Sequence, residues 1–182
     1  MAFKDTTLIF EDDKLTIDDG KSVMMRWETP IMEKTSEYIC QSKGDILEIG
    51  FGMGICADLI QAEGVKSHTI IELHPQVIEK LKEWAEDKDN VIIVEGDWHD
   101  VELNQTYDGI FLDTYADRHL DKFKEFVLSK AKSGAKVTYF DSGWAENECG
   151  FDNISYEYLP VNPEEEGHIC TKDVYHMPKV VI

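Results

Sequence analysis

A glycine-rich loop and the acid beside it are the first residues of this sequence whose types and spacing could do chemistry. The segment Gly50–Gly54 (GFGMG) follows a short apolar run and opens a predicted helix, and glycines at such a turn let the backbone come close to a ligand. A dinucleotide dehydrogenase would need a small residue at the sixth position of its glycine motif, where this chain has Ile55. Glu48 suits the cationic, phosphate-free end of S-adenosylmethionine better than a pyrophosphate.

Three further acids stand at or next to the ends of predicted strands. Glu72 closes the second strand, 22 residues after Gly50, where a carboxylate can accept hydrogen bonds from both hydroxyls of a ribose. Asp97 follows the third strand beside Trp98, so an acid for the adenine amino group and an aromatic ring for the adenine plane are neighbours. Asp113 closes the fourth strand, at the edge of a parallel sheet where ligands bind. Together these acids predict a cofactor crevice.

Alternating strands and helices are the elements that would position these residues. We predict strands at Asp45–Ile49, Ser67–Leu73, Asn90–Glu95, Tyr107–Asp113 and Ala135–Phe140, with helices at Ile55–Ala62, Pro75–Glu86 and Arg118–Lys132. This order is typical of an α/β fold with a mostly parallel sheet and helices on both faces. Two later strands, Ile154–Leu159 and Thr171–His176, predict a C-terminal antiparallel hairpin at the sheet edge.

The length of 182 residues predicts one domain over 1–182. Residues 1–22 read as a loosely packed acidic lead-in and residues 23–44 as two short helices with a break before Pro30. Residues 45–140 would form the cofactor-binding core and residues 141–182 the hairpin region.

The charge of the chain excludes several function classes. Asp and Glu number 37 against 18 Lys and Arg, which gives a net charge of −19, so nucleic acids and anionic membrane surfaces would be repelled. The sequence has no long apolar run that suggests a secretory signal or a membrane span. Four scattered cysteines favour a reduced, cytoplasmic setting, and the six histidines show no metal-ligand spacing.

The order of motifs from Val23 to Phe140 resembles class I S-adenosylmethionine-dependent methyltransferases, which have a Rossmann-like fold. Two segments, Val23–Pro30 (VMMRWETP) and Tyr107–Tyr115 (YDGIFLDTY), look like guanidinoacetate methyltransferase. The glycine segment Gly50–Gly54 also looks like that enzyme, and like the fungal protein arginine methyltransferase that acts on the inner guanidino nitrogen.

The resemblance implies a substrate site for a guanidinium group. Glu28 and Asp113 would grip the guanidinium, whose planar fork of donors matches carboxylates in pairs. We expect Asp113 to be the catalytic base and Glu28 to hold the opposite edge, because methylation requires that a proton leave the attacking nitrogen. Tyr115 and Ser142 are the further expected substrate contacts.

The resemblance also implies a set of cofactor contacts, although two of them, Met24 and Met32, suit a core equally well. The expected residues for S-adenosylmethionine, and for the product S-adenosylhomocysteine, are Met24, Met32, Glu48, Gly50, Gly52, Met53, Gly54, Glu72, Leu73, Asp97 and Trp98.

This chain departs from the resemblance on the side where a substrate carboxylate would bind. The segment Trp144–Ile154 is short, Asp141 stands near the expected backbone donors, and the only arginines are Arg26 and Arg118. By resemblance the substrate is a small guanidino compound, guanidinoacetate, which would give creatine. Three alternatives stay open: an arginine N-methyltransferase acting on free or protein arginine, a small-molecule O-methyltransferase, and a non-catalytic domain that binds S-adenosylmethionine. The sequence leaves the choice between a monomer and a homodimer open.

Overall fold

The computed structural model of the chain describes residues 2–115, 120–140, 145–163 and 173–182, and a seven-stranded sheet lies at its centre. The described residues form ten strands in two sheets: β1 (Leu8–Phe10), β2 (Lys14–Ile17), β3 (Ser22–Met25), β4 (Asp45–Ile49), β5 (Ser67–Glu72), β6 (Val91–Glu95), β7 (Tyr107–Leu112), β8 (Ala131–Tyr139), β9 (Ser155–Pro160) and β10 (Val174–Val181). They also form four α-helices: α1 (Thr29–Ile39), α2 (Ile55–Ala62), α3 (Pro75–Ala85) and α4 (Phe123–Lys130).

The central sheet has the strand order β6-β5-β4-β7-β8-β10-β9. The five neighbouring strands β6, β5, β4, β7 and β8 pair in parallel, whereas β10 pairs antiparallel with β8 and with β9. The predicted α/β fold, with a mostly parallel sheet and an antiparallel hairpin at its edge, is therefore confirmed. None of the helices in the described ranges is long and apolar enough to cross a membrane.

Strand β4 shows why this sheet must be covered on both faces. All five of its residues are buried, and such a continuous buried run is typical of a central parallel strand. Ile46 packs into the cluster that includes α1 and α2, whereas Leu47 and Ile49 pack into the cluster that includes α4. The alternation of side chains along the strand therefore assigns the helices to opposite faces.

Residues 8–25 form an antiparallel sheet of their own, which differs from the prediction of a loosely packed lead-in. Strands β1 and β2 pair along their length, and β2 pairs with β3. Leu8, Leu15 and Ile17 are buried in the core cluster, so the apolar residues between the acids hold this sheet against the domain. The turn between β2 and β3 contains Gly20 at a φ of +87°, a conformation that favours glycine.

The structure also differs from the prediction of a helix at residues 23–25. Those residues lie in β3, and a 3-10 turn at Arg26–Glu28 leads into α1, where Pro30 occupies the first turn.

The predicted helix Arg118–Lys132 is shorter in the structure. Residues 118 and 119 lie outside the described ranges, α4 ends at Lys130, and Lys132 belongs to β8. The extended backbone lets Lys132 Nζ reach a carboxylate oxygen of Asp45 at 2.7 Å and one of Asp108 at 2.6 Å. The hydrogen bond from Lys132 is the main reason that the pKa of Asp45 falls to about 2. The predicted last strand begins at Thr171, also outside the described ranges, and the observed β10 runs on to Val181.

Candidate active site

A cavity of about 360 Å³ lies at the carboxyl ends of β4, β5, β6 and β7. Ten of the predicted site residues line it: Met24, Glu48, Gly50, Gly52, Glu72, Leu73, Asp97, Trp98, Asp113 and Tyr115. This volume is within the usual range for a small-molecule site. The parallel strands end on the same edge of the sheet, so acids that are far apart in the sequence meet there.

Two glycines of the loop after β4 allow close approaches within the protein itself. Gly50 has a φ of +92°, and a Cβ atom there would lie 1.9 Å from the carbonyl oxygen of Asp113. Gly52 has a φ of +55°, and its Cβ would lie 2.7 Å from Sδ of Met24. The backbone amide of Asp113 also donates to the carbonyl of Ile49 at 2.8 Å. The glycine loop and the Asp113 loop therefore touch backbone to backbone.

Glu72 is held rigidly at the end of β5. Its Oε2 accepts from the amide of Phe51 at 2.9 Å, and its Oε1 accepts from the amides of Leu73 and His74 at 2.8 and 2.7 Å. A carboxylate offers about four acceptor positions, so roughly one of them, on Oε2, stays available to a ligand. The three backbone donors tie Glu72 to the glycine loop as well as to its own strand end.

Asp97, Trp98 and His99 form one wall of the cavity. Asp97 Oδ1 lies 2.6 Å from Nδ1 of His99 and accepts from the His99 amide at 3.0 Å. Desolvation would raise the pKa of Asp97, but the hydrogen bonds from His99 outweigh it and lower that pKa. The Trp98 ring lies against the His99 ring at 3.8 Å and packs edge-on against Phe123 and Phe126. An aromatic face and an anionic acceptor therefore stand side by side.

The carboxyl groups of Glu28 and Asp113 are both shifted towards their neutral forms. Glu28 is 3% exposed, and its Oε1 accepts from the amide of Met25 at 2.9 Å. Burial, and then the negative charge of Asp113, raise the pKa of Glu28 to about 8. Burial, and then the charges of Glu48 and Glu72, raise the pKa of Asp113 to about 7. A cation between such groups would restore their charge.

The remaining predicted site residues lie elsewhere. Met32 is fully buried in the core cluster, because it faces the sheet from α1, and it does not line the cavity. Met53 donates its amide to Sδ of Met24 at 3.3 Å, and Gly54 caps α2 in a left-handed conformation. Glu28 is bonded to the amide of Met25 and is not among the described residues that line the cavity. Ser142, like Asp141, lies outside the described residues.

Sequence reasoning missed the N-terminal wall of the cavity. Phe3, Leu15 and Val23 line it, although all three belong to or adjoin the segment predicted to pack loosely. The Phe3 ring contacts the rings of His74 at 5.0 Å and Tyr115 at 4.8 Å. The available signal was the apolar residues at Leu8, Leu15 and Ile17, since a truly solvated lead-in would have lacked them.

The described residues fit S-adenosylmethionine rather than a phosphorylated cofactor. The cavity walls are apolar with acids at the strand ends, and none of the described lining residues is Lys or Arg. Such a lining repels phosphates and accepts a sulfonium, an ammonium or a guanidinium. The free acceptor position on Glu72 and the aromatic ring of Trp98 beside Asp97 suit a nucleoside.

A family model and several curated proteins match the chain. The model described as Guanidinoacetate N-methyltransferase matches residues 2–147. Protein arginine N-methyltransferase 2 of Saccharomyces cerevisiae is 37% identical over an alignment of 188 residues that covers 94% of this chain and 45% of that protein. The protein of the same name from Candida glabrata is 39% identical over 166 residues, which cover 83% of this chain and 40% of that protein. The chain therefore spans less than half the length of these relatives.

Solved structures share the fold at low sequence identity. The N-methyltransferase NodS from Bradyrhizobium japonicum WM9, in complex with S-adenosyl-l-homocysteine, has a TM-score of 0.66 at 11% identity over 85% of this chain and 87% of NodS. Spermidine synthase from Thermotoga maritima has a TM-score of 0.65 at 15% identity over 96% of this chain and 72% of the synthase. At these identities the likeness establishes the Rossmann-like fold alone.

Proposed function

This chain belongs to the guanidinoacetate N-methyltransferase family, and we propose on that premise that it transfers a methyl group from S-adenosylmethionine to a guanidino nitrogen of arginine, free or in a protein. The observation that carries the proposal is a pair of neighbouring acids with raised pKa values: Glu28, which is buried, and the half-buried Asp113 after β7, whose charge acts on Glu28. The names of the relatives, Protein arginine N-methyltransferase 2, support arginine as the acceptor.

The raised pKa values explain how the two acids would select a guanidinium. Without a ligand, Glu28 with a pKa of about 8 is mostly protonated at neutral pH. A guanidinium stays protonated throughout this range because its own pKa is above 12. Its positive charge offsets the desolvation of both carboxyls, so acceptor binding expels their protons and leaves two charged carboxylates around the planar fork.

Asp113 is the residue we assign as the base. Its pKa of about 7 makes it a stronger proton acceptor than an ordinary aspartate. S-adenosylmethionine, when bound, supplies an electrophilic methyl group on a cationic sulfur. As the N–C bond forms and the S–C bond breaks, the attacking nitrogen becomes acidic, and the proton that it loses passes to a carboxylate oxygen of Asp113. Glu28 keeps its charge and holds the group in position.

The described lining favours arginine over guanidinoacetate as acceptor. In guanidinoacetate a single methylene separates the carboxylate from the guanidino group, so the carboxylate would stand near Glu48, Glu72 and Asp113 with no described Lys or Arg on the cavity wall. In an arginine residue the guanidino group ends a longer side chain. Within a protein the α-carboxyl group of that residue is part of a peptide bond and carries no charge. Guanidinoacetate remains the second candidate, because the matching family model carries its name.

A methyl-transfer assay tests the proposal. The protein is incubated with radiolabelled S-adenosylmethionine and, separately, an arginine-containing peptide, the same peptide with lysine in place of arginine, free arginine, and guanidinoacetate. We expect transfer to the arginine peptide or to free arginine and none to the lysine peptide. Transfer to guanidinoacetate alone would establish the second candidate. Cofactor binding without transfer to any guanidine would refute the proposal and leave a non-catalytic binding domain or an O-methyltransferase.

A further inference from the structure

A fully buried histidine stands behind the cofactor side of the cavity, and the proposed reaction gives it no role. His68 on β5 is 0% exposed, and its Nε2 lies 2.8 Å from Oε2 of Glu48, which is 1% exposed. The two residues are diagonal neighbours on one face of the sheet, because Glu48 is in register with Ile70. Burial of two ionisable groups is costly unless they bond to each other.

The partner on the other side of the ring fixes which nitrogen carries the hydrogen. Gln61 on α2 places its Nε2 3.1 Å from Nδ1 of His68. A glutamine amide nitrogen can only donate, so Nδ1 must accept and the hydrogen of a neutral imidazole sits on Nε2. The Trp84 ring packs edge-on against the imidazole at 6.2 Å. The ring is therefore held in one orientation, aimed at Glu48.

Only one of the two carboxyl oxygens of Glu48 is bonded to another described residue. Its Oε2 is bonded to His68, whereas its Oε1 has no hydrogen bond among the described residues, and the side chain lines the cavity. Burial raises the pKa of Glu48, and the hydrogen bond from His68 works against that rise. The other titratable groups that face Glu48 are Glu72 from β5, Asp58 and Cys56 from α2, Cys40 after α1, and Asp113 after β7. His68 is the one partner among these described groups that favours a charged Glu48.

We propose that His68 is a positioning residue of the cofactor site: it donates its Nε2 hydrogen to Oε2 of Glu48 and thereby presents Oε1 as a charged acceptor to the cationic end of S-adenosylmethionine. The proposal rests on the proposed function for the identity of the ligand. It goes beyond that function because it assigns a role to a side chain that touches neither ligand.

Two substitutions separate this role from a merely structural one. His68→Leu removes the donor that opposes the raised pKa of Glu48, so the neutral form of Glu48 is favoured further. We expect the dissociation constant for S-adenosylmethionine to rise on the order of 10- to 100-fold. Because Glu48 regains its charge as the pH rises, the ratio of the variant's dissociation constant to that of the parent should narrow between pH 6 and 9. His68→Gln keeps a donor and should restore much of the affinity. Thr69→Val is the matched control, since Thr69 is buried on the opposite face of β5, where its hydroxyl accepts from Gln105. The ratio of this variant's dissociation constant to that of the parent should not depend on pH.

A second measurement reports the tautomer of His68 in the parent protein itself. The ¹⁵N spectrum of histidine-labelled parent protein, with His68 assigned against His68→Gln, should show a neutral ring with hydrogen on Nε2. Hydrogen on Nδ1 alone, or a pH-independent loss of affinity in His68→Leu, would overturn the proposal. Failure of the parent protein to bind S-adenosylmethionine at all would instead refute the proposed function, and the tautomer would still report on the His68–Glu48 pair.

Discussion

Acceptor binding by the ligand-free protein should depend steeply on pH, because two raised carboxyl pKa values govern it. Glu28 titrates at about 8 and Asp113 at about 7, and both must be charged to hold a guanidinium. From these two values, the fraction of protein with both carboxyls charged rises roughly 10³-fold between pH 6 and pH 9. The dissociation constant for an arginine peptide should fall by the same order.

Isothermal titration calorimetry without methyl donor measures this directly. At pH 7 Glu28 is about nine-tenths protonated and Asp113 about half protonated, so binding should release roughly 1.4 protons. The proton count follows from the change in apparent binding enthalpy between buffers of different ionisation enthalpy. The acceptor itself stays protonated over this range, so the released protons come from the protein.

Glu28→Gln isolates the second titration. With only Asp113 left to ionise, the fall in dissociation constant between pH 6 and pH 9 should shrink to roughly 10-fold. Glu33→Gln changes an exposed acid on α1, the helix that follows Glu28, and should keep the pH dependence of the parent's dissociation constant. A parent dissociation constant that stays level from pH 6 to pH 9, or that falls equally in Glu28→Gln, would refute the assignment of these two acids to the acceptor.

Three further outcomes follow from the same structure. Asp113→Asn should retain binding of S-adenosylhomocysteine, measured by calorimetry, yet lose turnover by a factor on the order of 10² or more, and unchanged turnover would remove Asp113 as the base. Gly50→Ala should lower both the melting temperature and turnover, because its Cβ would meet the Asp113 carbonyl at 1.9 Å, whereas Gly64→Ala, also at positive φ but with nothing within 4 Å, should cost only about 1 kcal/mol from backbone strain. In urea titrations the free energy of unfolding of the ligand-free protein should fall as the pH rises from about 4.5 to about 8. The pKa of Glu28 is higher in the folded than in the unfolded state, so folding favours its neutral form. Glu28→Gln should make the free energy of unfolding less dependent on pH, and an equally steep dependence in that variant would contradict the burial argument.

Local patterns were sufficient to predict the central sheet. The buried run Asp45–Ile49 and the helix Ile55–Ala62 have the predicted bounds, because a fully covered strand and a capped amphipathic helix both mark their ends in the sequence. The N-terminal sheet was not predicted, since its strands are short and lie among Glu11, Asp12 and Asp13, so their apolar residues form no continuous period. Its stability comes from distant contacts, such as the amide of Leu8 bonding to the Gln76 side chain.

The candidate site divides in the same way. Acids at strand ends, such as Glu72 and Asp113, could be placed from the sequence because the parallel topology brings those ends together. Glu28 could not, since it lies in a turn before α1 and only the resemblance pointed to it. Met32 was predicted as a cofactor contact but lies in the core, because a methionine at helical spacing suits a core and a ligand site equally. The N-terminal wall of the cavity and the His68–Glu48 hydrogen bond depend on tertiary packing that no local pattern encodes.

The two edges of the central sheet differ in charge, because acids at the amino-terminal edge are paired with lysines. Lys132 and Lys66 lie there around Asp45. Glu48 and Glu72, which have no lysine or arginine partner in the part of the chain that the structure describes, stand at the carboxyl-terminal edge. The positively charged acceptor that we propose would therefore be attracted towards the mouth of the cavity before it touches the protein. Dissolved salt screens this attraction, so rising ionic strength slows the encounter far more than it hastens the departure of a group already enclosed between carboxylates.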